Sequence, residues 1–122
     1  MASDRESTQR RRRGLHEQLR ASSYEPLMRG TLVERARKCG KATCACARDQ
    51  DARHRGLFLT VSLKGRSQAM HVRPEDAERI RAALAAYQHL WKLIEGLTEC
   101  ELSDLRREAR ERRRGRARRT SK

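Results

Sequence analysis

Cys39, Cys44, Cys46 and His54 fall within sixteen residues, in the stretch CGKATCACARDQDARH. Thiolates and an imidazole gathered in a short segment suit tetrahedral zinc, and three sulfurs with one nitrogen make a closed structural site without an open position for substrate. A chain that folds around such a site is constrained there before anywhere else. The spacing, C-x4-C-x-C-x7-H, is not a pair of C-x2-C knuckles, and two ligands separated by one residue hold the backbone tightly. The same residues also read as ordinary reduced thiols beside a surface histidine, as a redox-active thiol cluster, or as a set completed by Cys100.

Composition strengthens the metal reading. Hydrophobic residues make up 36% of the chain against 38% charged, with one Phe, one Trp and two Tyr, so little can be buried. Small cores of this kind are usually stabilised by a metal, a disulfide or a partner subunit. The N-terminal MASDRESTQRRRRG has no apolar run that would act as a secretory signal, so the cysteines are expected to stay reduced in a cytoplasm. No stretch approaches the roughly 20 apolar residues that span a bilayer.

Thirty basic residues against sixteen acidic ones leave a net charge of +14, the footprint of a polyanion binder. The charge is uneven: +3 over residues 1–21, +7 over 22–73, −4 over 74–105 and +8 over 106–122. Arginine outnumbers lysine by 25 to 5, as codon usage in a GC-rich genome would favour, but such a bias does not produce the excess of cations.

Four segments follow. Residues 1–21, with Leu15 and Leu19 but few other apolar groups, read as a mobile basic arm that can become helical on binding. Residues 22–73 read as a zinc-ribbon-like β element. After a linker with Pro26, a short strand begins at Leu32 and Val33 and leads into the cysteine loop, where Gly40 and Lys41 supply a permissive turn. Leu57 to Leu63 is the best strand, with Leu57, Leu59, Val61 and Leu63 on one buried face and Phe58 opposite. Lys64-Gly65 turns the chain into a returning strand, Ser67 to Val72. Residues 74–105 read as a helix opened by Pro74 and by Glu75, Asp76 and Glu78. Its stripe of Ile80, Leu84, Tyr87, Trp91 and Ile94 has a/d spacing, and around residues 96–98 the helix either breaks, at Gly96 and a capping box from Thr98, or runs on. Residues 106–122 read as an Arg-rich flexible tail. The expected fold is therefore α+β: a zinc-pinned three-stranded antiparallel sheet, then a long amphipathic helix, with basic tails.

The string MRGTLVERARKCGKATCACARDQDARHRG resembles a family of small bacterial proteins catalogued as a domain of unknown function, of the DUF6788 type. The likeness is carried by Gly30 to Arg35, by Cys39, Gly40, Lys41, Cys44, Cys46 and Ala47, by His54, and by Val72 with Pro74, and it spans roughly residues 28–105. It implies a zinc-ribbon-like β element with a trailing helix, in genes often found near transposases, and it supplies no activity. Arg55 to Leu59 depart from the pattern, which has glycine, proline and tyrosines there.

The expected function is a nucleic-acid-binding accessory protein with a structural zinc, DNA before RNA, in which cations neutralise phosphates. In the β element these are Arg35, Arg37, Lys38, Lys41, Arg48, Arg53, Arg55, Lys64 and Arg66. In the arm they are Arg10, Arg11, Arg12 and Arg13, and in the tail Arg112, Arg113, Arg114, Arg116, Arg118 and Arg119. The alternative is a protein–protein adaptor that docks on a transposase or another helical partner, or self-associates, through the Ile80–Ile94 stripe. Its support is the acidic band Glu75, Asp76, Glu78, Glu95, Glu99, Glu101 and Asp104. An enzyme is not expected, because the donor set fills a zinc ion's coordination and no other catalytic arrangement is evident.

Overall fold

The alternating run that ends at Leu63 forms the middle strand of a three-stranded antiparallel sheet. In a computed structural model that describes residues 3–120, β1 (Thr31–Arg37), β2 (His54–Leu63) and β3 (Arg66–Val72) lie in that order, preceded by α1 (Asp4–Ala21) and followed by α2 (Ala77–Thr120). The expected sheet and trailing helix are both present. Residues 1, 2, 121 and 122 of the expected arm and tail lie outside the described residues. Among the described residues no helix is long and apolar enough to cross a membrane.

The chain divides into two compact units, Tyr24–Gln88 and a second made of α1 with α2 from His89 onward. In the first, β2 and β3 are joined at Lys64 and Gly65, whose φ of 52° and 78° give the doubly positive backbone of a tight type I′ turn. Leu59, Val72, Ala77, Ile80 and Leu84 form the buried cluster, flanked by Met28, Leu32, Leu57 and Val61. The β2 alternation thus puts Leu57, Leu59 and Val61 on the helix side as expected, but Leu63, at the end of the strand, is 54% exposed. Pro74 opens a 3-10 turn, Pro74–Asp76, that runs directly into α2.

The second unit departs from the sequence expectation. Where a mobile arm is expected, α1 is a helix of 18 residues, N-capped by Ser3, whose side chain accepts from the Glu6 amide. What holds it lies about ninety residues away in sequence, beyond the reach of local patterning. Arg11 pairs with Glu99 at 3.0 Å, Arg12 with Glu101 at 3.0 Å and with Asp104, and Arg107 closes on Asp104 at 2.8 Å. Arg12 and then Arg107 hold the Asp104 carboxyl below the usual carboxylate range. Three of the seven residues of the acidic band are therefore engaged by α1.

α2 neither breaks at residues 96–98 nor frays into a tail at 106; it is continuous for 44 residues. Thr98 does not cap a new helix, since its hydroxyl donates to the Ile94 carbonyl at 2.8 Å. Gly96 is a packing position rather than a stop: a Cβ there would meet Leu15 Cδ1 at 2.9 Å, so the missing side chain lets α1 approach. The single a/d stripe also divides. Ile80 and Leu84 are buried in the first unit, whereas in the second the buried positions are Leu93, Gly96 and Cys100, and Trp91 and Ile94 are 49% and 41% exposed. One seam does not serve both units, because α1 covers a different set of α2 positions.

Candidate metal centre

The β1–β2 ladder extends to the pair Arg37 and His54. Pairing these two residues closes the intervening segment into a loop whose ends are fixed by the sheet, and this is what delivers the donors. Cys39 follows β1 by two residues, and Gly40, at φ 86°, turns the chain back in a conformation that suits glycine. Cys44 caps a 3-10 turn, Ala45–Ala47, that carries Cys46 inward to 1% exposure. His54 is the first residue of β2.

The donor atoms of Cys39, Cys44, Cys46 and His54 all lie within 4.8 Å of one another, close enough to bind one metal ion. Cys46 Sγ is 3.5 Å from Cys39 Sγ, and Cys44 Sγ is 3.3 Å from His54 Nε2. Ligand bonds of about 2.3 Å to sulfur and about 2.0 Å to nitrogen give tetrahedral edges of roughly 3.5–3.8 Å, so the donors need shift little to close on an ion. The Cys39 amide donates to Cys46 Sγ at 3.3 Å, an outer hydrogen bond of the kind that orients ligands. The Cys44 thiol is pulled down to about 6, first by the Cys46 backbone N–H and then by His54 and the neighbouring thiols. For Cys46 the Cys39 backbone N–H favours the thiolate, but burial and the Cys44 and Cys39 sulfurs outweigh it and push the thiol up. One thiolate is thus prepared in advance, and a cation is needed to hold three together. Cys100 is not among the grouped donors; it is buried in the helical unit at 1% exposure.

The cations expected to meet phosphate are distributed unevenly. Arg37 and Arg55 line a hollow of about 380 Å³ with Cys39, His54, Gly56, Phe58 and His71. Arg35 and Arg55 share a smaller one with Glu34. Lys38, Lys41 and Arg48 are exposed on the loop, while Arg53 is half-buried and its Nε is enclosed without a hydrogen-bond partner. Lys64 and Arg66 sit at the hairpin turn, the length of β2 from His54, or roughly 30 Å at strand rise; the structure does not bring them to the cluster. In the helical unit Arg10 and Arg13 are exposed, but Arg11 and Arg12 are committed to ion pairs. Arg112, Arg113, Arg114, Arg116, Arg118 and Arg119 are exposed near the end of α2.

Sequence reading missed His71, which faces Phe58 across the β2–β3 register. Its ring meets Phe58 edge-on at 5.2 Å while the Arg37 guanidinium lies 5.4 Å over the same ring. Gly56 leaves room for this, since a Cβ there would come within 3.0 Å of His71 Nε2. Only the strand register could have revealed the grouping.

A family model described as "Domain of unknown function (DUF6788)" matches residues 5–82. That span takes in all of α1 but its first residue, the whole sheet and the metal loop and ends within the first turns of α2, so it begins earlier and ends earlier than the resemblance read from motifs alone. No curated protein and no solved structure matches the chain.

Proposed function

We propose that the chain, which belongs to the DUF6788 family, is a nucleic-acid-binding module whose sheet is pinned by a structural zinc ion. The observation that carries this reading is the convergence of three cysteines and a histidine at the end of β1 and the start of β2, with Arg37 and Arg55 lining the adjoining hollow. Zinc is favoured because three sulfurs and one nitrogen suit its tetrahedral shell and its borderline softness. Such a shell leaves no open position, so the reading is of a binding protein rather than an enzyme. With three thiolates the bound centre would carry a net charge of −1, which nearby cations offset. The remaining cationic excess of a chain at +14 supports a polyanion, DNA before RNA, as partner. An accessory role beside a mobile element is the setting suggested by the family likeness.

The adaptor reading loses Glu99, Glu101 and Asp104 from its acidic band to α1 but gains an observation: Ile94, Leu102 and Leu105 on α2 are 41%, 42% and 57% exposed. Leu84, in contrast, belongs to the core and cannot serve a partner.

Filter binding of the full chain to DNA and RNA at low and moderate salt tests the proposal. With six or more phosphate contacts, affinity should fall by about a thousandfold between roughly 50 and 200 mM salt. Absence of binding at the lower salt, or affinity indifferent to salt, would sink it.

A further inference from the structure

The exposed end of α2 has a geometry that selects among nucleic acids. α1 begins at Asp4, and Asp4, Ser7 and Thr8 line a hollow with Ser103, Arg106, Arg107 and Arg110. Beyond Arg110 the helix continues through Glu111 to Thr120, every residue exposed. We propose that this helical end enters the major groove of duplex B-form DNA. The inference deepens the nucleic-acid reading and rests on it.

The placement of charge, the dimensions of the helix and its weak intrinsic helicity all favour this groove. Successive helical residues turn about 100°, which distributes Arg112, Arg113, Arg114, Arg116, Arg118 and Arg119 around every side of the helix. A helix that lies on a flat anionic surface needs charge on one face only; charge on all sides suits a groove with phosphates along both walls. The dimensions also match, because a helix about 10–12 Å across fits a B-DNA major groove about 12 Å wide, whereas the A-form groove of duplex RNA is too narrow. Finally, the segment resists helix formation by itself. Arg110 and Arg114, Arg112 and Arg116, and Arg114 and Arg118 are like-charged neighbours one turn apart, which disfavours the helix, and Gly115 has no atom within 4 Å of where a Cβ would stand, so nothing in the fold requires a glycine. Phosphates on both walls relieve that repulsion, so helix and duplex stabilise each other.

The test separates helix from charge. Gly115→Pro retains every charge but interrupts the helix, at a site with no atom within 4 Å of where a Cβ would stand; Gly115→Ala keeps the helix. The full chain and both variants are titrated by fluorescence anisotropy against a short DNA duplex, an RNA duplex of the same sequence and single-stranded DNA. The native chain and Gly115→Ala should prefer the DNA duplex by roughly tenfold, and Gly115→Pro should lose that preference while keeping its affinity for the other two. Equal binding to all three probes, or a Gly115→Pro chain that binds the DNA duplex as tightly as the native one, overturns the groove-entry inference and leaves the nucleic-acid reading standing. Binding to none of the probes overturns both.

Discussion

Replacing Cys46 by serine is expected to abolish metal binding and to unfold the sheet unit. Cys46 is the most deeply buried donor, at 1% exposure, and its sulfur touches Cys39 while accepting from the Cys39 amide. Losing it leaves three donors, with a neutral hydroxyl, a poor zinc ligand, in place of the buried thiolate. Structural zinc in small domains contributes about 10–16 kcal/mol of apparent binding free energy, comparable to the whole stability of a typical domain. The five buried residues clustered under the sheet make a core too small to tolerate that loss. Chelation of the native chain should act in the same way. Amide exchange would show β1 and β2 losing protection, since the loop between Arg37 and His54 no longer clamps the end of their ladder, while α1 and the second half of α2 keep theirs. A Cys46→Ser chain with native protection throughout β1–β3 would show that the sheet does not depend on the metal.

Ile80→Ala should be the most damaging simple truncation in the core. Ile80 is 4% exposed and joins Leu59, Val72, Ala77 and Leu84 in the cluster between sheet and α2. Removing its side chain leaves a cavity in a unit with few other apolar groups able to collapse into it, at an expected cost of about 2–5 kcal/mol. The matched control is Ile94→Ala, one of the sequence-predicted stripe residues that is 41% exposed; it should stay within about 0.5 kcal/mol of native. Denaturant unfolding of the two metal-loaded variants decides the matter. Equal losses would mean that the stripe acts as one seam, against the division of α2 between two units.

The contrast between Ile80 and Ile94 shows what the sequence could and could not reveal. Period-two alternation and the Lys64-Gly65 turn specify β2 and β3 locally, and ligand clustering marks the metal loop without any tertiary information. The helical stripe was visible, but a periodicity does not say which partner covers it, and past Leu84 the covered positions become Leu93, Gly96 and Cys100. α1 was missed because its support is not local. Ser3 caps it, but Glu99, Glu101 and Asp104 are paired with Arg11 and Arg12 across separations of 88 to 92 residues. Read alone, the arm has an excess of charge and two leucines; read with its acidic partners, it has a place to fold. Gly96 leaves both a break and a continuous helix open for a related reason, since a glycine that ends a helix and one that admits a neighbouring helix look alike until the neighbour is known.

Whether zinc pins the sheet is decided most directly by metal content and coordination in the full chain purified without chelator, by elemental analysis and X-ray absorption, with Cys100→Ser in parallel. About one zinc per chain is expected, held by three sulfurs and one nitrogen, with the same metal and the same shell in Cys100→Ser because Cys100 is not among the donors that converge on the site. A metal-free chain with an intact sheet would contradict it, as would a shell that changes when Cys100 is replaced.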